Sequence, residues 1–267
     1  MKELITTKQG IKVSTTYLKG DKTKKTFVFI HGNAQNETSG KVLLDFFHSK
    51  GHSVLSYDLP GHGNSEPYPN DDVGMEDFAE TLKETLEHYN ITNPIIAGHS
   101  MGGMILLQFA VKYPEFASKL ILIDASDIDP VKTNKLILLK DIIPQIIENC
   151  GKAFEKRFKY DFSSSTEINE ENILDIGFKY TDSASLRANF KATFDYDVSA
   201  KLELLKMPVL ILRGEDDFLM TEEMTLDMYN RINNSKFVQV EGGHNWIVLK
   251  DKEEVRKVFE DNYCFLA

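Results

Sequence analysis

The chain has 267 residues, 42% hydrophobic and 27% charged, with a formal net charge of −10. That is a globular balance sized for one large α/β domain, or for a domain carrying an insertion. The acidic surplus argues against a nucleic-acid surface and against an anionic membrane surface, and no apolar run approaches the ~18–20 residues of a membrane span. Two cysteines, Cys150 and Cys264, imply no disulfide framework, and stretch 1–7 holds no apolar signal region. The expected location is therefore cytoplasmic.

Residues 3–7 and 11–18 read as a hairpin, with Val13, Thr15 and Tyr17 alternating onto one face. The basic cluster Lys22, Lys24 and Lys25 falls in what reads as a second hairpin turn and is expected to be a solvated loop. Phe27-Val28-Phe29-Ile30 is continuously apolar, hence a central strand buried on both faces, and it runs into His31-Gly32-Asn33-Ala34. A helix over 38–50 ends at Gly51, a strand over 53–57 leads into Asp58, and a Pro- and Gly-punctuated loop continues to Ser65. Phe78, Leu82 and Leu86, spaced four apart, predict an amphipathic helix over 76–89.

The next apolar strand stops at Gly98, and after Ser100 the pattern becomes helical, with Met104, Leu107 and Val111 in helical register. Between them lies Gly98-His99-Ser100-Met101-Gly102, a Gly-x-Ser-x-Gly nucleophile elbow. So sharp a turn forces the serine into a strained backbone and aims the first amides of the helix at whatever sits above it. Another buried strand, 120–123, ends at Asp124. Strand and helix alternate to this point, which specifies a mostly parallel, doubly wound sheet.

The rhythm then breaks. Residues 127–200 contain no clear strand and read as helices over 134–150, 153–159, 170–180 and 184–194. A helical insertion after a strand's C-terminal end sits over the face where open α/β sheets bind ligands. The expected organisation is thus a core of 1–126 and 201–267 with a helical cap inserted over 127–200. The sheet resumes at 208–212, a helix covers 221–231, a last strand covers 236–240, and an amphipathic helix over 252–262 closes the pattern.

A serine hydroxyl is a weak nucleophile that needs a base within hydrogen-bond reach, and the base needs a third group to hold its tautomer. His244 is the best base, on a glycine-rich loop after a strand. Asp217 is the best orienting acid, also after a strand. Asp216 and Asp124 are rivals for the acid. His48 and His52 are not read as a metal pair, because Gly51 ends the helix between them.

His31-Gly32 after a strand, Asp58-x-x-Gly61-His62-Gly63-x-Ser65, the elbow with Gly103, Gly214-x-x-Asp217 and Gly243-His244 together resemble the α/β-hydrolase superfamily. The resemblance is to its branch of small capped esterases, haloperoxidase-like enzymes and meta-cleavage-product hydrolases, and it spans almost the whole chain outside the insertion. It implies a Ser100–His244–Asp217 triad, with family spacing favouring Asp217 over Asp216 and with Asp124 as the alternative site of the acid. It also implies an oxyanion hole made by the backbone N–H of Met101 and of Asn33, Ala34 being the alternative to Asn33. His31 then braces the oxyanion loop, His62 belongs to a structural turn, and His99 points away from the nucleophile.

The implied activity is carboxylesterase-like hydrolysis of a small-to-medium ester through an acyl-enzyme, with no cofactor and no metal. The partner is a small-molecule ester, and the oligomeric state is left open between monomer and homodimer. A serine nucleophile argues against the dehalogenase and epoxide hydrolase relatives, which use aspartate. Carbon–carbon bond hydrolysis of the meta-cleavage-product type is the alternative. Those enzymes carry Asn where this chain has His99, and an arginine near the substrate carboxylate, for which the insertion offers Arg157 and Arg187. A non-enzymatic ligand receptor on the same fold is the reading from a different class.

Overall fold

Short runs of apolar residues bounded by turn signals form strands covered on both faces, and they make up the middle of the sheet. β3 (Phe27–Ile30), β4 (Val54–Tyr57), β5 (Ile95–His99) and β7 (Val209–Gly214) are buried along their whole length, and β6 (Lys119–Ile123) is buried but for Lys119. β1 (Lys2–Thr6), β2 (Lys12–Leu18) and the half-exposed β8 (Ser235–Val240) complete eight strands in the order β1-β2-β4-β3-β5-β6-β7-β8. β1 and β2 join antiparallel, β2 pairs antiparallel with β4, and the rest run parallel. The computed structural model describes residues 2–70, 72–130, 161–163, 168–169, 172–173, 176–177, 181–194 and 196–266.

Parallel register puts every chain exit on one edge. Ile30 lies opposite Gly98 and Tyr57, and His99 opposite Ile123. The loops beginning at His31, Asp58, Ser100 and Asp124 therefore leave the sheet side by side, joined by those after β7 and β8.

Helices cover both faces. α2 (Met75–His88) and α3 (Met101–Lys112) pack together on one face, where Phe78, Leu82, Leu86, Ile105 and Leu107 join a core with Val28, Ile30 and Ile96. α3 is buried all round from Met101 to Val111, as its near-uniform apolar sequence requires. On the other face α1 (Lys41–Ser49) and α7 (Lys252–Leu266) enclose Phe46, Phe47 and Phe259 with Trp246. Phe27 and Phe47 stack with centroids 3.8 Å apart.

The loop carrying Lys22, Lys24 and Lys25 is exposed, as expected, but it is not a hairpin turn. β4 lies between β2 and β3. Because β3 is buried in parallel pairing on both edges, the connection has to step across a strand rather than fold back. Two short elements have no counterpart in the sequence pattern, the 3-10 turn at Ser199–Leu204 and α6 (Trp246–Leu249), and a 3-10 turn at Glu37–Gly40 takes the start of the helix expected over 38–50. One or two turns are too few to display a 3.6-residue period.

The expected helices at 134–150 and 153–159, and most of that at 170–180, lie outside the described residues. α4 (Ser183–Phe194) matches the last of the four, and α5 is Glu222–Arg231. Where the chain leaves and rejoins the sheet, Ile128 bridges Asp197 antiparallel. Asp129 N–H donates to the Tyr196 carbonyl at 2.8 Å, and Val198 N–H to the Asp127 carbonyl at 2.8 Å. The described parts of the intervening segment contact the loops after β3 and β4. Phe162 N–H donates to Thr38 Oγ1 at 2.9 Å, Ser185 abuts Gly61, and Gly177 lies against Ala34.

Candidate active site

The geometry begins with backbone strain at Ser100. Its φ of +52° and ψ of −122° lie where L-residues rarely go. The turn is held by Ser100 N–H donating to the Ile123 carbonyl at 2.9 Å. A β-carbon at Gly102 would collide with the carbonyl oxygens of Ile30 and His31, so only glycine lets α3 start this close to β3. Ser100 is left half-buried, with α3 beginning at the next residue.

Two other loops bring their side chains to it. The Ser100 hydroxyl donates to His244 Nε2 at 2.9 Å, and His244 Nδ1 donates to Asp217 Oδ2 at 2.8 Å. The second carboxylate oxygen of Asp217 accepts the N–H of Leu219 at 2.8 Å and of Met220 at 3.0 Å. Burial by itself raises the Asp217 carboxyl, but the His244 charge, the His244 hydrogen bond and those two amides outweigh it and hold it below the usual carboxylate range.

Neither rival for the acid takes the hydrogen bond from His244 Nδ1. Asp216 is exposed, and its N–H goes to the Gly242 carbonyl at 3.0 Å. Asp124, at φ +47°, is buried and accepts the Gly214 N–H on Oδ1 at 2.7 Å. Its burial, and then the Asp217 charge, push its carboxyl well above the usual range. The hydrogen bond from His244 Nδ1 goes to Asp217 and not to Asp124.

The loop after β3 lies against the serine. A β-carbon at Gly32 would sit 3.2 Å from Ser100 Cβ. Ala34, at φ +58°, gives its N–H to Asn33 Oδ1 at 3.0 Å and to His62 Nε2 at 3.2 Å. The N–H groups of Asn33 and Met101 have no acceptor among the described residues. His31 braces the neighbouring loop, accepting Leu59 N–H on Nε2 at 2.9 Å and donating from Nδ1 to the Gly32 carbonyl at 2.7 Å. His99 points away from the hydroxyl: its Nε2 meets the His244 carbonyl at 2.8 Å and its Nδ1 meets Gln35 Oε1 at 3.2 Å. Burial lowers the pKa of His31 to about 4, and those of His62 and His99 to about 3, so all three are neutral at ordinary pH.

Asp58 anchors the turn that holds His62. It accepts Glu37 N–H and Asn64 N–H, each at 2.9 Å. His52 has both ring nitrogens engaged, with the Lys25 carbonyl at 2.8 Å and Tyr263 at 2.8 Å.

Sequence reasoning missed several participants. Arg213 is buried and wraps the turn before α5, donating to the carbonyls of Asp217 at 2.8 Å, Met220 at 2.8 Å and Glu215 at 3.3 Å. A charge set directly on the end of an apolar strand was the available signal. Gln35, Asn245 and Asn189, which join the surrounding network, carry no such signal.

A mostly parallel eight-stranded sheet with this elbow at the end of its central strand is the α/β-hydrolase fold. Residues 25–145 match the family described as alpha/beta hydrolase fold, and residues 150–254 match one described as Serine hydrolase (FSH1). A 2-hydroxy-6-oxononadienedioate/2-hydroxy-6-oxononatrienedioate hydrolase of Paraburkholderia phymatum is 29% identical over 228 residues, covering 80% of this chain and 78% of that protein. A Haemophilus influenzae protein with the provisional name esterase/lipase is 25% identical over 226 residues, covering 82% of this chain and 76% of its own. An esterase structure from Exiguobacterium antarcticum superposes with a TM-score of 0.77 at 20% identity, covering 100% of this chain and 99% of that one. The chain has the α/β-hydrolase fold, and the proteins it resembles over most of its length are named as hydrolases and esterases.

Proposed function

We propose that the protein is a serine esterase acting on small-to-medium carboxylic esters. The carrying observation is the unbroken chain of hydrogen bonds from Ser100 through His244 to Asp217. Ser100 Oγ attacks the ester carbonyl while His244 Nε2 takes its proton. Asp217 holds the tautomer and balances the imidazolium. The N–H groups of Asn33 and Met101 receive the oxygen that becomes negative. His244 then gives its proton to the leaving alcohol, and the same imidazole activates the water that clears the acyl group from Ser100. The segment 127–200 acts as a cap over this edge, a reading supported by the pinch at Ile128 and Asp197 and by the contacts of Phe162, Gly177 and Ser185. An exposed free thiol at Cys264 suits a reducing, cytoplasmic setting.

Initial rates on p-nitrophenyl esters from acetate to decanoate, with Ser100→Ala as the blank, test this reading. Turnover by the wild type alone is expected, and the chain-length optimum sizes the acyl pocket. No turnover at any length in folded protein contradicts it. Carbon–carbon hydrolysis is the second reading, favoured by the Paraburkholderia relative. Loss of a ring-fission dienone's absorbance without ester turnover would select it.

A further inference from the structure

The inserted segment sends one buried amide side chain into the loop after β3. Asn189 of α4 is 1% exposed. Its Nδ2 donates to Asn33 Oδ1 at 3.0 Å and lies 3.4 Å from His62 Nε2. These are the same two acceptors that take the Ala34 N–H. His62 is neutral, and its Nδ1 faces the Pro60 carbonyl at 3.1 Å, so Nε2 is its bare, accepting nitrogen. Four groups thus close a small network: two donors, Asn189 Nδ2 and Ala34 N–H, facing two acceptors, Asn33 Oδ1 and His62 Nε2.

The network has a consequence for the loop. Ala34 sits in the left-handed region, which an alanine occupies only where its surroundings fix it. Its N–H is consumed by the two acceptors, while the Asn33 N–H is left without one among the described residues. We infer that Asn189 is a positioning residue for the oxyanion hole. By pinning the Asn33 carboxamide it keeps the 33–34 turn in the state that presents the Asn33 amide, and not that of Ala34, to the reacting oxygen. This rests on the serine-hydrolase reading above. It also makes seating of the inserted segment a condition for a complete hole, because the donor that fixes the turn belongs to that segment.

Two variants of similar size separate this from packing. Asn189→Leu removes the donor, and Asn189→Asp keeps the shape but turns an oxygen toward two acceptors. Both are expected to lower kcat on the best p-nitrophenyl ester about tenfold or more, with KM within about threefold, since only a transition-state contact is disturbed. Independently of turnover, the Asn33 and Ala34 amide resonances of 15N-labelled protein are expected to shift in both variants, while those of β5 stay in place. A folded Asn189→Leu protein with kcat within about twofold of wild type overturns the inference. So does a rise in KM alone, which would make Asn189 a substrate contact. If the wild type proves inactive on esters, the hydrolase reading has failed by itself. The resonances then decide the role of Asn189: unshifted Asn33 and Ala34 amides refute it.

Discussion

A serine hydroxyl reacts only while its proton has an acceptor, and at Ser100 that acceptor is one imidazole nitrogen 2.9 Å away. The His244 charge, the His244 hydrogen bond and the turn amides hold the Asp217 carboxyl below the usual carboxylate range in spite of burial. Asp217→Asn leaves the geometry but not the charge, and is expected to lower kcat by about 10³–10⁴-fold. A variant matching wild type would reassign the acid, with Asp124 the first to examine.

At the scale of elements, the site depends on how the turn between β7 and α5 is held. Arg213 spends its guanidinium on three backbone carbonyls of that turn and so fixes the carboxylate that orients the base. Replacing it with Met leaves those carbonyls without their donors. The expected cost is about 2–4 kcal/mol in urea unfolding, together with a lower kcat. Stability within about 0.5 kcal/mol of wild type would show that the turn holds itself. The same element explains one limit of the sequence pattern. Val209 to Leu212 read plainly as a buried strand, but nothing in a string of letters says where the side chain of Arg213 turns at its end. Likewise β3 was evident from its four apolar residues, whereas its neighbours were not. Pairing of β2 with β4 is a property of the whole sheet and not of the loop at Lys22–Lys25 that suggested a hairpin.

At the scale of the molecule, the alternation of strand and helix up to Asp124, and its resumption at Val209, already implied a doubly wound sheet with its chain exits on one edge. That edge brings Ser100, Asp217 and His244 within hydrogen-bond reach although they are far apart along the chain. Their placement was readable because each follows a strand end marked by glycine. The polar network beneath them was not readable. Gln35 meets His99 and Asn245, and Asn189 meets Asn33, only through folding, and each alone looks like an ordinary surface or core residue.

The central claim is that Ser100 is a nucleophile activated by His244. Treatment of the wild type with a fluorophosphonate, followed by intact-mass measurement and peptide mapping, tests it most directly. One adduct per chain, mapped to Ser100 and lost in both Ser100→Ala and His244→Ala, is the predicted result. A folded wild type that takes up no label, or takes it up at another residue, would contradict it.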